Sequence, residues 1–238
     1  MALDYIPTGW YVVAMRHTML RATDKQDAKA KLLPAAIKVV RAKGYTATSV
    51  GDLCREAGVT KGAFFHHFRS KDDLAVAAAN YWSEVTGALF ANAGYHNRED
   101  PLDRVLGYID FRRELIQGDA AEFTCLVGTM VQEIYGDKPQ IRAACEASIF
   151  GHAEVLEADI AEAMRKYRVK GDWIPKSLAL FTQTVLQGAF VLAKAKGDAK
   201  VALDSIDHLY RYVELLFYAG KTTRARTPDI QGLPIPGA

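Results

Sequence analysis

The sequence has little cysteine and little net charge, and it lacks any uninterrupted apolar run near the roughly 20 residues needed to cross a bilayer. Its three cysteines, Cys54, Cys125 and Cys145, show no CxxC spacing and leave one over after any pairing. Neither a disulfide framework nor a zinc site is indicated, and a reducing, cytoplasmic location fits. No metal, cofactor or membrane partner is expected. No nucleophile, base and orienting group stand at catalytic spacings, and no Gly-rich loop suited to phosphate occurs. His96, His152 and His208 are isolated and read as surface residues rather than general bases. No segment alternates as a strand would, and no internal repeat is found, which leaves an all-α chain of about nine helices.

What is present is apolar bulk and an uneven charge distribution. Half of the 238 residues are hydrophobic, enough for a sizeable core. The formal net charge is +2, but residues 24–73 hold ten Lys or Arg against six Asp or Glu, whereas 74–238 hold 18 against 21. The basic excess therefore sits on one short segment, as a nucleic-acid-binding region would have it.

Within that segment, TSVGDLCREAGVTKGAFFHHFRSKDDL (48–74) reads as two short helices and a tight turn. Thr48 and Ser49 can each cap the first helix, with Asp52 at capping-box spacing from Ser49. Gly58 ends that helix, Val59 is a buried pivot, and Thr60 caps a second helix starting at Lys61. Phe64 and Phe68 share an apolar face with Leu53, Val59 and Leu74, whereas Lys61, Gly62, Phe65 and His66 fall on another stripe. The pattern is a helix-turn-helix, with base contacts expected from the start of its second helix. Ser70 opens a further helix, and Lys71 in its first turn opposes the helix dipole, which suits a phosphate contact better than stability. His66 and His67 point about 100° apart and do not suggest a metal pair. Cys54 reads as a small buried apolar group.

Residues 28–74 resemble the DNA-binding domain of the TetR/AcrR family of bacterial regulators. The matching features are LLPAAIKVVRAKGY, TSVGDLCREAGV and TKGAFFHHFRSKDDL, in register over almost fifty residues. The family usually has Tyr where this chain has Phe65, so the hydrogen bond of a phenol to phosphate is lost while ring packing remains. The resemblance implies double-stranded operator DNA as partner. Thr48, Ser49, Thr60, Lys61, Gly62, Phe65, His66, His67 and Lys71 are the expected DNA-binding residues.

The remaining organisation follows from periodicity and breakers. A first helix runs from about Asp27 to Lys43, with Pro34 requiring either a kink or a later start. A fourth runs from Lys71 to Ala93, joining the reading head to the rest. A fifth follows Asp100-Pro101, a sixth covers 123–135, and a seventh runs from Pro139 to Tyr167. Two more cover about 176–196 and 199–219. The expected domains are a flexible arm over 1–24, the helix-turn-helix domain over 25–74, an effector-binding and dimerisation domain over 75–219, and a flexible tail over 220–238. Met15 and Met19 are alternative starts.

The last two helices carry broad apolar stripes, Leu178, Phe181, Val185 and Leu192 on one and Leu203, Ile206, Leu209, Val213 and Leu216 on the other. The resemblance implies that they form a four-helix homodimer interface; ordinary intradomain core is the plainer reading. CLVGTMVQE resembles the sixth helix of a TetR subgroup that responds to small apolar or electrophilic compounds. Tyr108, Phe111, Phe123, Cys125, Met130, Phe150 and Trp173 are candidates to line an effector cavity. The chain therefore reads as a dimeric repressor released from a palindromic operator by a small molecule. Competing readings are an activator, a thiol sensor through Cys125, and an all-α enzyme with an accessory helix-turn-helix.

Overall fold

The structure, a computed structural model, describes residues 28–218; the arm over 1–24 and the tail over 220–238 lie outside the described residues. Among the described residues there are ten α-helices, one 3-10 turn and no strand. The first, α1 (Ala28–Lys43), runs through Pro34 instead of starting after it, and buries Leu32, Ala36, Ile37 and Val40. Helix α2 (Val50–Ala57) is started by Ser49, whose side chain and that of Asp52 complete a reciprocal capping box. Gly58 ends it at φ +64°, a left-handed conformation that a residue with a Cβ rarely adopts. Thr60 starts α3 (Lys61–His67) by accepting from the amide of Ala63 at 3.1 Å. Ser70 does the same for α4 (Lys71–Ala91), accepting from Asp73 at 3.1 Å.

A 3-10 turn over Gly94–Asn97 leads to α5 (Pro101–Glu114), whose N-cap, Asp100, accepts from the Leu102 amide at 2.8 Å. The single helix expected over 123–135 is two, α6 (Ala120–Phe123) and α7 (Leu126–Ile134). The Glu122 carboxylate accepts from the Asp119 amide at 2.9 Å at the start of the first, and Cys125 is extended at φ −78°, ψ 128° and caps the second. The apolar periodicity runs across both helices, so the break left little trace in the pattern. Next come α8 (Pro139–Tyr167), α9 (Pro175–Lys196) and α10 (Lys200–Tyr218).

Helices α1 to α3 close around Leu32, Ile37, Leu53, Phe64, Phe68 and Leu74, all at most 4% exposed. Helix α4 adds Leu74, Ala75 and Ala78 to that core with its first turns, then carries Trp82 and Phe90 into the second domain. There α8 packs against α4, α5, α7 and α9, and α10 packs on α9 and α5. Arg104 of α5 fixes this frame by bonding Asp159 of α8 at 2.7 Å and also Glu162. Asp100 accepts from Lys166 at 2.9 Å and from the Tyr167 hydroxyl at 2.8 Å.

By length and composition, α9 is apolar enough to cross a bilayer, with mean hydropathy 1.3 over its most apolar window. Its buried face, Leu178, Leu186, Ala189 and Ala193, packs on α8 and α10 as a core helix does. Its other face is exposed and still apolar: Phe181 is 40% exposed and Leu192 54%. Tyr212 and Leu215 of α10 continue that surface, and the rings of Phe181 and Tyr212 lie 5.1 Å apart. Gly188 lies within it with open space where a Cβ would stand.

The adjacent phenylalanines of α3 give a stability test, because Phe64 is fully buried and Phe65 is 56% exposed. Phe64→Ala is expected to cost about 3–5 kcal/mol by urea unfolding, and Phe65→Ala less than about 1 kcal/mol. Similar losses for both would contradict this division of α3.

Candidate functional site

The outward surface of the helix-turn-helix is built from Ser49, Thr60, Lys61, Gly62, Phe65 and His66, all exposed. Phe65 stands against the edge of Phe64, ring centroids 5.1 Å apart, which steadies an aromatic that otherwise faces solvent. His67 is half-buried, and the two histidine rings meet edge to face at 4.9 Å. Several basic side chains of this domain are already paired, Lys38 with Glu56 and Lys43 with Asp52, both at 2.6 Å. Lys61 forms no ion pair among the described residues, so its charge remains available to a polyanion.

Two expected DNA contacts sit differently. Thr48 is only 2% exposed, and its hydroxyl donates to the Gly44 carbonyl at 2.6 Å. It braces the turn between α1 and α2, and Ser49 alone caps α2. Lys71 donates to the carbonyls of Tyr45 at 3.0 Å and Thr48 at 2.9 Å, with its ammonium 4.2 Å from the Tyr45 ring centroid. Its charge is directed at two carbonyls of the same turn, a constraint that only the folded arrangement reveals.

That turn is also held from the second domain. Glu133 of α7 accepts from the amide of Tyr45 at 2.9 Å and from that of Thr46 at 2.7 Å. Gly44 makes room for it: φ is +88°, and a Cβ there would lie 2.5 Å from the Glu133 carboxylate. Burial alone would raise the Glu133 carboxyl pKa, but the hydrogen bonds from Thr46 and Tyr45 and the charge of Lys194 bring it below the ordinary value. Beside it, Asp72 accepts from Lys138 at 2.7 Å and from the Tyr45 hydroxyl. The hydrogen bonds from Lys138 and Tyr45 depress the Asp72 carboxyl as well.

Within the second domain, a small, partly open cavity lies between α4, α5, α8, α9 and the α6–α7 break. Trp82, Phe90, Phe123 and Phe190 give it aromatic walls, and Arg112, His152 and Gln183 give it polar ones. The Tyr108 hydroxyl, just behind, contacts all three of those polar groups, Arg112 Nε at 3.0 Å, Gln183 Nε2 at 2.8 Å and His152 Nε2 at 3.0 Å. Burial, reinforced by Arg112, pushes the His152 pKa far down, so the imidazole is neutral. Cys125 and Val127 bring the start of α7 to the same cavity.

Two family models match this chain. Residues 32–78 match that of the bacterial regulatory proteins, tetR family, and residues 101–207 match the C-terminal domain of LmrA/YxaF-like transcriptional regulators. The chain belongs to the TetR family of transcriptional regulators. An HTH-type regulator from Lactococcus lactis is 27% identical over 188 residues, which cover 77% of this chain and 92% of that protein. The transcriptional regulator AcuR of Cereibacter sphaeroides is 27% identical over 177 residues, 73% of this chain and 79% of that one. In three dimensions, a cysteine-substituted form of the TetR-family regulator CifR, solved with 26-base-pair operator DNA, superposes with TM-score 0.62. It is 21% identical, over 80% of this chain and 97% of that one. This TetR-family protein is a DNA-binding transcriptional regulator.

Of the expected cavity residues, Phe123 and Cys125 line it. Tyr108 stands behind the wall, and Phe111 packs on Phe90 with centroids 5.2 Å apart. Met130 is fully buried at the junction with the DNA-binding domain, Phe150 is 47% exposed on another face, and Trp173 packs on Phe217 at 5.9 Å. These three were expected as large apolar side chains, and that character does not say which of them meets a void. His152, read as a surface residue, instead contacts Phe90 at 4.6 Å and Tyr108 inside the domain. The cue was available: Tyr108 and Arg112, Ser148 and His152, and Gln183 and Gln187 are polar i,i+4 pairs, one on each of α5, α8 and α9.

Glu133 and Asp72 both titrate lower in the folded chain than their ordinary values. Their stabilisation is therefore present at neutral pH and is lost as the pH falls through the depressed folded values, below the usual carboxylate range. Glu133→Ala is expected to cost about 1–3 kcal/mol, because two amides lose a charged acceptor. The check is hydrogen exchange at Tyr45 and Thr46, which should accelerate relative to the rest of α1. Unchanged exchange there would show that other groups hold the turn.

Proposed function

We propose that this regulator is a homodimeric repressor that leaves a palindromic operator when a small molecule fills the cavity. The observation that carries the reading is the double role of α7. Its first turn, Cys125 and Val127, is cavity wall, and Glu133 in its last turn grips the backbone between α1 and α2. Helix α4 has the same character, with Trp82, Thr86 and Phe90 at the cavity and Lys71 and Asp72 at the reading head. A ligand needs only to prefer one placement of these helices to shift the population between operator-binding and released forms.

The working division is 25–74 for DNA binding and 75–219 for effector binding and dimerisation. Lys61, Gly62, Phe65 and His66, with Ser49, Thr60 and His67 beside them, meet the operator. Thr48 and Lys71 act behind them, shaping the turn. The exposed apolar surface of Phe181, Leu192, Tyr212 and Leu215 is the dimer contact, since a lone molecule would leave it in water. A twofold axis there would pair two reading heads. The role is regulatory and not enzymatic, and the three free thiols suit a cytoplasmic protein.

The deciding experiment is fluorescence anisotropy against the DNA flanking the protein's own gene and a scrambled duplex across a salt series. Binding should favour the flanking DNA by roughly a thousandfold. Lys61→Ala should weaken it and reduce the salt slope by about 0.9 if one phosphate contact is lost. Leu192→Glu with Leu215→Glu should give a folded monomer by sedimentation that has lost operator affinity. A dimer persisting in that double variant would move the interface elsewhere, and equal affinity for both duplexes would remove the proposed operator.

A further inference from the structure

Two glutamines of α9, Gln183 and Gln187, stand at i,i+4 spacing and line the cavity together. Gln183 is 5% exposed, and its Nε2 donates to the Tyr108 hydroxyl at 2.8 Å. Among the described residues no group donates to its carbonyl oxygen, which is left with the cavity as its outlet. Gln187 is half-buried, and its amide makes no hydrogen bond among the described residues. It lies against the backbone of Gly128, where a Cβ would collide with it. The glycine near the start of α7 thus makes room for a polar group that the fold does not itself pair. Leaving such groups unpaired costs stability, and a ligand that pairs them recovers it.

The other polar groups of the wall are engaged or uncharged. Arg112 donates from Nε to the Tyr108 hydroxyl at 3.0 Å, and its guanidinium lies 4.3 Å from the Phe90 ring centroid and 5.3 Å from that of Tyr108. His152 meets the same hydroxyl at 3.0 Å, and burial, reinforced by Arg112, keeps it neutral. No Asp or Glu lines the cavity among the described residues.

We propose that the cavity takes a small neutral carboxamide with a compact apolar body, its amide spanning Gln183 and Gln187 and its body against Phe123, Leu186 and Phe190. A carboxamide carries an N–H donor and a carbonyl acceptor side by side, the complement of a glutamine amide whichever way that amide is turned. A ketone of the same shape has no donor for Gln183, and an amine cation finds no counter-charge. A carboxylate has acceptors only, and it would set one against the Gln183 oxygen within aromatic walls that do not solvate it. The proposal rests on the reading of this cavity as the effector site and adds the class of ligand.

The test is isothermal titration calorimetry on the full-length protein without DNA at neutral pH. Butanamide and benzamide are compared with methyl propyl ketone and acetophenone, in which a methyl replaces the amino group, and with butyrate and benzoate. At least one amide should bind, with its matched ketone and its matched acid each at least about tenfold weaker. Gln187→Leu should lower affinity for the amide by a similar factor. Circular dichroism would show that this variant folds; the comparison of amide, ketone and acid on the unaltered protein decides the matter without it. A ketone or an acid binding as tightly as its amide, undiminished amide binding by folded Gln187→Leu, or no amide binding at millimolar concentration would each overturn the proposal. The effector reading fails separately, if a bound amide leaves operator affinity unchanged.

Discussion

Two backbone amides, those of Tyr45 and Thr46, emerge at the end of α1 where no helix can take them, and the carboxylate of Glu133 accepts both. A buried or half-buried N–H must find an acceptor, so this pairing constrains where α7 may lie relative to α1. The local backbone is shaped around it. Gly44 adopts a positive φ and leaves the space that a side chain would deny to the carboxylate. Thr48 and Lys71 satisfy the carbonyls of the same turn, and Asp72 ties Tyr45 to Lys138 at the start of α8. One short turn thus collects contacts from α4, α7 and α8. Through it the orientation of the reading head depends on the second domain.

The same helices reach the cavity from their other ends. Trp82 and Phe90 lie about three and five turns along α4 from Lys71, and Cys125 lies about two turns along α7 from Glu133. Helices are stiff over such distances, so a displacement at the cavity is carried to the turn as a tilt or slide. The polar cluster of Tyr108, Arg112, His152 and Gln183 places a hydrogen-bonded network beside aromatic walls. Such a network is stable only when its members are satisfied, and the tyrosine hydroxyl serves three of them.

Much of the fold was legible in the sequence. Ser49 with Asp52, Gly58, Thr60 and Ser70 mark helix ends through local hydrogen bonds and backbone preference, and each does so in the structure. The apolar face of Phe64 and Phe68 was equally legible, because i,i+4 spacing decides it. The split between α6 and α7 was not, since apolar periodicity continues through Thr124 and Cys125 while the hydrogen bond from Asp119 to Glu122 that starts α6 involves exposed residues. Among candidate site residues, Lys61, Gly62, Phe65 and His66 on the short helix α3 are exposed, whereas several of those chosen as large apolar groups lie away from the cavity. Met130 is as apolar as Phe123, yet it fills core at the junction with the DNA-binding domain, and Trp173, in the loop before α9, packs on Phe217.

By itself the sequence determined the helix-turn-helix, its caps, its inward phenylalanines and the all-α class, because those follow from interactions between residues at most a few positions apart. Only the tertiary structure decided that Thr48 and Lys71 turn inward, that Glu133 reaches across 88 residues to Tyr45, and that Arg112 and His152 share one cavity. Those outcomes depend on which helix faces meet. Residue spacing along one helix specifies a face but carries no information about what that face will touch.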